Sequence, residues 1–173
     1  MKPNRISLTV IIIINVFLFS CRESKTKNIK YENENIYIKQ KASVIHRKIT
    51  TLNAILGNTV DVSNKVVFIY NGLDCETCID IGYSISKRID KIKNKKFVFV
   101  ITTSTSIGRE QLRNKYLEYV FYDEHDLIRK ELKYIFTPAV ILFDKEKRIK
   151  LVYYPGLENE DEGNNFINNC FKQ

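Results

Sequence analysis

Two cysteines separated by two residues, Cys75 and Cys78, have the types and the spacing that could do chemistry in this chain. If they open a helix, their sulfur atoms meet across its first turn, close enough to form a disulfide. The N-terminus of a helix also stabilises a cysteine thiolate through its unpaired N–H groups and the positive end of its dipole. Because the thiolate is the species that attacks a disulfide, the motif predicts thiol–disulfide exchange.

Two other interpretations of the cysteine pair remain open at this stage. A zinc site would need two more ligands, and its candidates Cys170, His46 and His125 include no second closely spaced pair, so no metal is expected. A purely structural disulfide is also possible. A loop this short removes little entropy from the unfolded chain, so stability is a weak reason for such a bond.

The composition limits the class of protein. The chain has 173 residues, of which 44% are hydrophobic and 12% aromatic, enough for the core of one ordinary domain and too much for a disordered chain. The formal net charge of +8 suggests nucleic-acid binding, but the basic residues are spread along the whole chain, so no nucleic-acid partner is expected. The densest basic run, residues 87–96, flanks an apolar helical stripe and is interpreted as a solvated face.

Hydrophobic periodicity predicts alternating strands and helices after residue 57. The predicted strands are 65–70, 97–102, 119–122, 139–143 and 149–153. The predicted helices are 75–94, 107–116, 127–134 and 158–171, with Cys170 facing inward from the last. This order predicts an α/β fold with a central mixed β-sheet flanked by helices.

An amphipathic helix is predicted before this domain, over residues 36–57. Its stripe recurs at spacings of four and three, and Gly57 stands at the position of a C-terminal cap. The stripe is formed by Ile38, Ala42, Ile45, Ile49, Leu52 and Leu56. Packing of this helix on the domain is favoured over a dimerising coiled coil, because fewer than three heptads are available.

The N-terminus carries two basic residues, Lys2 and Arg5, ahead of a short apolar segment. An apolar run over residues 8–19 is too short for a transmembrane helix and suits a signal peptide over residues 1–20. The sequence Leu18-Phe19-Ser20-Cys21 resembles a lipobox. That resemblance implies cleavage before Cys21, lipid on its thiol, and a polar tether over residues 21–35. An uncleaved anchor is the alternative; in both cases the rest of the chain leaves the cytoplasm.

A second feature, Thr137-Pro138 directly before the strand 139–143, completes a pattern with the cysteine pair. The combination resembles the thioredoxin superfamily, and residues 123–156 resemble its membrane-anchored, extracytoplasmic TlpA/ResA-like branch. The resemblance implies a thioredoxin-like domain over residues 58–173, with Cys75 attacking, Cys78 resolving, and Pro138 in the cis form beside them. Thr137 would then offer its backbone to an extended substrate.

The same resemblance implies the partners of the domain. They are disulfide-containing extracytoplasmic proteins as substrates, a membrane electron donor, and the lipid bilayer through Cys21. No cofactor is expected beyond the redox-active disulfide Cys75–Cys78. The expected location is outside the cytoplasm, with the chain lipid-anchored to a bacterial membrane.

The chain departs from the family pattern around the cysteines. The family usually has a tryptophan before the first cysteine, but this chain contains none and has Asp74 at that position. Glu76-Thr77 lies between the two cysteines. The first strand lacks the buried acid that many members carry. If Asp74 and Glu76 are exposed, each opposes the Cys75 thiolate by about 1 kcal/mol or less, similar to the helix-dipole effect. Because the two effects largely cancel, the reduced form gains little stabilisation and the disulfide is favoured, so the sequence predicts a reductase. The rival hypothesis is a non-catalytic thioredoxin-fold binding module with a vestigial cysteine pair.

Overall fold

A computed structural model of the chain describes residues 36–172. The chain divides into two compact units, Met1–Gln40 and Lys41–Gln173, and the described part of the first, residues 36–40, is helical. The second unit contains the strands β1 (Val66–Tyr70), β2 (Val98–Thr102), β3 (Val120–Tyr122), β4 (Ala139–Phe143) and β5 (Ile149–Tyr153). Its helices are α1 (Leu52–Leu56), α2 (Glu76–Lys93), α3 (Ile107–Asn114), α4 (Leu127–Glu131) and α5 (Glu160–Asn169).

The strands form one mixed sheet in the order β3-β2-β1-β4-β5. The first three strands are parallel, and β4 runs antiparallel to both β1 and β5. Every residue of β1 and β4 is buried, which explains why these strands are continuous apolar runs rather than alternating ones. The predicted α/β fold with a mixed sheet is confirmed, and the predicted strands and helices differ from the observed ones mainly at their ends.

The prediction of one helix over residues 36–57 is wrong in its middle. The chain is helical to residue 44 and again in α1, but residues 45–51 leave the helix. There the backbone pairs with the start of β5: the His46 N–H donates to the Ile149 carbonyl at 2.8 Å, and the Ile149 N–H donates to the Arg47 carbonyl at 2.8 Å. Ile49, Leu52 and Leu56 are buried, whereas Ile38 and Ala42 are exposed, so only the second half of the apolar stripe packs on the domain as expected.

A carboxylate far along the chain fixes where α1 begins. Glu131 at the end of α4 accepts four hydrogen bonds, one each from the N–H and the hydroxyl of Thr50 and Thr51. Burial alone would raise the pKa of Glu131, but the hydrogen bonds from Thr50 and Thr51 outweigh burial and lower the pKa. The start of α1 is therefore set by a tertiary contact, and Gly57 ends the helix as predicted.

Helix α2 packs closely on β1 through a glycine. The ring of Phe68 in β1 is fully buried and lies against Tyr70 and Tyr83, with ring centroids 5.3 Å and 5.4 Å away. Gly82 lies directly over this ring, and a Cβ atom at that position would overlap two of its carbon atoms. The absence of a side chain at Gly82 therefore sets how near the cysteine-bearing helix can come to the sheet.

No helix among residues 36–172 is both long enough and apolar enough to cross a bilayer.

We expect Gly82→Ala to destabilise the fold by about 1–3 kcal/mol or more, because the Phe68 ring is held by its neighbours and cannot move aside. Gly108→Ala in α3 is the matched control, since nothing lies within 4 Å of a Cβ atom there. The control should be neutral or stabilising by up to about 1 kcal/mol. Urea unfolding measures both; equal effects would show that helix propensity, not the contact with Phe68, decides the result.

Candidate functional site

The two cysteines lie where the sequence predicts, at the N-terminus of α2, and they form a disulfide. Cys75 is the N-cap residue, and its sulfur accepts a hydrogen bond from the Cys78 N–H at 3.1 Å. The Cα atoms of the pair are 5.2 Å apart. The sulfur of Cys75 therefore occupies the place that a capping oxygen usually takes, facing the unpaired N–H groups of the helix.

The two sulfurs differ in accessibility. Cys75 is exposed, whereas Cys78 is only partly exposed. Gly156, in the loop after β5, lies against Cys78, and a Cβ atom at this glycine would overlap the Cys78 sulfur. Gly156 also has φ of +84°, in the left-handed region that favours glycine. An incoming group can therefore reach Cys75 more easily than Cys78, as attacking and resolving roles would require.

Hydrogen bonds join the cysteine loop to the loop before β4. The Thr137 hydroxyl donates to Asp74 Oδ1 at 2.8 Å and accepts from the Asn71 side-chain amide at 2.6 Å. Asn71 also donates to both carboxylate oxygens of Asp74, from its amide at 2.7 Å and from its backbone N–H at 2.8 Å. The Thr137–Pro138 peptide bond is cis, as predicted. Asp74 thus ties Pro138 and Cys75 to the same end of the sheet.

The two acids flanking Cys75 are not both exposed, as the sequence analysis assumed. Asp74 is half-buried; its burial raises its pKa, although hydrogen bonds from Asn71 and Thr137 act in the opposite direction. Glu76 is exposed but forms an ion pair with Arg113 of α3, which also binds Asp80 at 2.8 Å. Arg113 partly offsets the charge of Glu76, and Arg129 acts in the same direction on Asp74, so each acid has a cation nearby.

A buried carboxylate that the sequence analysis missed lies on α3. The first strand is apolar from Val66 to Ile69, as expected, but Glu110 is 6% exposed and accepts hydrogen bonds from the hydroxyls of Tyr70 and Ser104. The Tyr70 hydroxyl also lies 2.9 Å from that of Tyr83, whose pKa burial raises to about 12. The acid comes from a helix rather than from the first strand, and no motif in the sequence pairs it with Tyr70.

The remaining candidate ligands are not brought together. His46 and His125 are exposed. Cys170, at the C-terminal end of α5, is fully buried, and burial raises the pKa of its thiol to about 12. Within residues 36–172, no group of three or more His, Cys, Asp or Glu side chains is arranged to hold a metal ion. Cys21, the signal peptide and the tether lie outside the described residues.

An open groove of about 410 Å³ runs beside the cysteine loop. It is bounded by the loop itself, by the loop that follows β2, and by the start of α4. Leu73, which is 98% exposed, forms one side of the groove, and Ser106 and Arg129 form the other. The groove therefore places apolar, hydroxyl, cationic and anionic groups beside the loop that leads to Cys75.

Comparison with known proteins identifies the fold. No protein-family model matches this chain, and no curated protein matches it in sequence. A secreted Mycobacterium tuberculosis disulfide oxidoreductase homologous to E. coli DsbE is similar in structure, with TM-score 0.50 and 9% identity over 65% of this chain and 84% of that one.

Two further solved structures are similar to this chain. A putative protein disulfide isomerase from Bacteroides thetaiotaomicron has TM-score 0.52 and 20% identity, over 64% of this chain and 74% of its own. A thioredoxin-like protein in its oxidised form has TM-score 0.51 and 14% identity, over 73% of this chain and 93% of its own. At these identities the comparisons establish the fold: the domain is thioredoxin-like, and it carries a Cys-x-x-Cys disulfide at the start of α2.

We expect Thr137→Val to destabilise the protein by about 1–2 kcal/mol at neutral pH, because Asp74 and Asn71 each lose a hydrogen-bond partner. The hydrogen bond from Thr137 lowers the pKa of Asp74, so the variant should raise that pKa further. The lost hydrogen bond stabilises the ionised form of the Asp74 carboxyl. The destabilisation caused by Thr137→Val should therefore shrink as the pH drops through the pKa of Asp74 and the carboxyl becomes protonated.

Thr137→Ser is the control for this prediction, because it keeps the hydroxyl. Urea unfolding across a pH series, together with an NMR titration of Asp74, makes the measurement. A Thr137→Val cost that is independent of pH, or a Thr137→Ser cost of equal size, would contradict the assigned role of the hydroxyl.

Proposed function

We propose that this protein is a membrane-anchored thiol–disulfide oxidoreductase that acts as a reductase through Cys75 and Cys78. The observation that carries the proposal is the disulfide itself: an exposed Cys75 caps α2, while Cys78 is shielded by Gly156. A disulfide kept only for structure has no need of one exposed sulfur beside an open groove.

In the first step, the reduced protein attacks with the Cys75 thiolate. A bond forms between the Cys75 sulfur and one sulfur of the substrate disulfide, and the substrate S–S bond breaks. The second substrate sulfur leaves as a thiolate and takes up a proton. The product is a mixed disulfide, and the N-terminal N–H groups of α2 favour Cys75 over Cys78 as the attacking thiolate.

In the second step, Cys78 resolves the mixed disulfide. Its thiol loses a proton, and its sulfur attacks Cys75, forming the intramolecular disulfide and releasing the second substrate thiol. Two electrons have then passed from the cysteine pair to the substrate. A membrane electron donor must return two electrons and two protons to the disulfide before another turnover.

The substrate would lie along the loop at Thr137 and Pro138. Since Ile69 and Ala139 are register partners in adjacent strands, both loops leave the sheet at the same edge. An extended substrate segment there could pair with the Thr137 backbone while its neighbouring side chains enter the groove next to Leu73. We assign Thr137 and Pro138 to substrate binding on this basis.

The direction of electron flow follows from the charges around Cys75. Asp74 opposes the thiolate from a half-buried position, where its charge is less screened than at an exposed one. The helix N-terminus supports the thiolate, so the two effects act against each other. With little net stabilisation of the reduced form, the disulfide is favoured, and a protein of that kind donates electrons.

Anchoring and location rest on the N-terminal sequence. A leader over residues 1–20 followed by Cys21 supports export and lipidation, and residues 21–35 supply a polar tether. The similar Mycobacterium tuberculosis oxidoreductase is a secreted protein, which agrees with a location outside the cytoplasm. The expected partners are disulfide-containing proteins in that compartment and a donor in the membrane.

We expect the reduced protein to catalyse insulin reduction by dithiothreitol and Cys75→Ser to abolish this catalysis, because the attacking sulfur is gone. Cys170→Ser is the matched control; that thiol is fully buried and lies outside the cysteine pair, so its variant should retain activity if folded. Turbidity of the released insulin chains follows the reaction. Equal rates for the wild type and Cys75→Ser would refute the enzyme and favour a binding module.

We expect Asp74→Asn to raise the reduction potential by roughly tens of millivolts, since about 30 mV corresponds to 1.4 kcal/mol. Removing the carboxylate stabilises the Cys75 thiolate and hence the reduced form. Glu76→Gln should have a smaller effect, because Arg113 already offsets that charge. The shift should be largest where Cys75 is ionised and should vanish at acid pH, where both the thiol and Asp74 are protonated.

Equilibration against glutathione or dithiothreitol mixtures measures these potentials. A larger effect from Glu76 than from Asp74 would show that Arg113 does not offset its charge. A wild-type potential near about −120 mV, as in a strong oxidant, would reverse the assigned direction of electron flow.

A further inference from the structure

Five lysines gather at the end of the domain opposite to the disulfide. Lys65 precedes β1 and Lys150 lies near the start of β5, a strand parallel to β1, whereas Cys75 follows the end of β1. Helix α2 returns from the disulfide over 18 residues, about 27 Å, and brings Lys91, Lys93 and Lys95 to the same end. We name these five lysines the basic pole.

Contacts show that three charges of the basic pole, those of Lys65, Lys93 and Lys150, lie close together. The ammonium groups of Lys65 and Lys93 stand 5.0 Å and 4.8 Å from the centroid of the same ring, that of Phe97. Lys93 and Lys150 both act electrostatically on the buried thiol of Cys170. Like charges this near repel each other, and the rings of Phe97 and Phe171 compensate only in part.

The acids at this end of the domain do not neutralise the basic pole. They already have partners. Asp90 accepts from the N–H groups of Phe97 and Val98, and Asp144 accepts from the N–H of Arg148. Glu118 pairs with Lys96, Asp61 with Lys147, and Glu146 with Lys145. None of the five lysines forms an ion pair with a described residue of the chain. An anion from outside would relieve their mutual repulsion.

The disulfide end of the domain carries charges of both signs. Its acids lie in the first turns of α2 and α5 and in the loops that lead to them: Asp74, Glu76, Asp80, Glu158, Glu160, Asp161 and Glu162. Three of these acids form ion pairs, with Arg113 or Lys41, and Arg109 and Lys130 lie at the same end. The basic pole instead presents charges of one sign, so it is the part of the domain that a negatively charged surface would attract most strongly.

We propose that the basic pole binds the anionic phospholipid headgroups of a bilayer and points the disulfide away from the membrane. All five residues are lysines, hydrated point charges that suit a fluid headgroup layer better than the bidentate recognition of phosphates and bases for which arginine is used; the exposed Arg148, two residues before Lys150, is the neighbouring arginine at this end. The Phe97 ring is buried and offers no face for base stacking. Phospholipid is therefore favoured over nucleic acid as the occupant.

This orientation goes beyond the proposed oxidoreductase activity and does not depend on lipid at Cys21. It holds the disulfide about 27 Å from the headgroups, within reach of partners in the aqueous compartment. The groove beside Leu73 would then open away from the bilayer. Failure of this proposal would leave the redox chemistry unaffected, because none of the five lysines belongs to the cysteine site.

The test uses the full chain added to preformed vesicles of phosphatidylcholine alone or of phosphatidylcholine with phosphatidylglycerol. Acetylation of lysines by an amine-reactive reagent, read by peptide mass spectrometry, reports which lysines are covered. On the phosphatidylglycerol vesicles, the basic pole should react several-fold more slowly than on neutral vesicles, while Lys130 on α4 should not change. High salt should remove the protection, because the interaction is electrostatic.

Replacing lysines of the basic pole by glutamate shows whether the basic pole or the N-terminal segment holds the protein on the vesicles. Lys91→Glu with Lys95→Glu should reduce the protection of Lys65 and Lys150 on phosphatidylglycerol vesicles by at least about tenfold. Arg109→Glu with Lys130→Glu is the matched control, since these residues follow the carboxyl ends of β2 and β3, at the disulfide end. The control should keep the protection.

Three results would overturn the proposal. Equal protection on neutral and anionic vesicles would assign the contact to the N-terminal segment, and no protection on anionic vesicles would leave the basic pole without this partner. Stronger protection by a DNA or RNA oligonucleotide than by vesicles, at the same salt concentration, would assign the basic pole to nucleic acid.

Discussion

One half-buried carboxylate, that of Asp74, holds the site together. The cysteine loop follows β1 and the Thr137–Pro138 loop precedes β4, so the register of Ile69 with Ala139 brings the two loops to the same end of the sheet. Asp74 accepts hydrogen bonds from Asn71 on its own loop and from Thr137 on the other. These donors offset the cost of burying the charge, and they join the two loops beyond the point where the strand pairing ends.

In the proposed reaction, the same carboxylate would also oppose the Cys75 thiolate. Its hydrogen bonds keep Asp74 beside Cys75, whereas Glu76 pairs with Arg113 at the surface. The hydrogen bonds from Asn71 and Thr137, together with the charge of Arg129, favour the ionised carboxyl of Asp74 against the effect of burial. Under the proposed function, structural cohesion and redox poise would therefore be coupled through one residue.

Local sequence patterns predicted the elements of this fold but not the contacts between distant segments. The apolar runs of β1 and β4 and the stripe of α2 follow from periodicity, so the sheet and the position of Cys75 were predictable. The break after residue 44 was not, because its causes are pairing with the start of β5 and the carboxylate of Glu131. The Arg113 partner of Glu76 was hidden for the same reason: a pattern shows which face is apolar, not which side chain meets it.

Helix α2 explains part of the charge asymmetry of the domain and leaves the rest to be explained. Acids near the N-terminus of a helix and lysines near its C-terminus are stabilised by its dipole, which accounts for Glu76, Lys91 and Lys93. Lys65 and Lys150 lie on other elements and gain nothing from that dipole, yet they stand beside the same cluster. The Phe97 ring stabilises Lys65 in this position, and the proposed headgroup layer would supply the negative charge that neither lysine finds in an ion pair with a described residue.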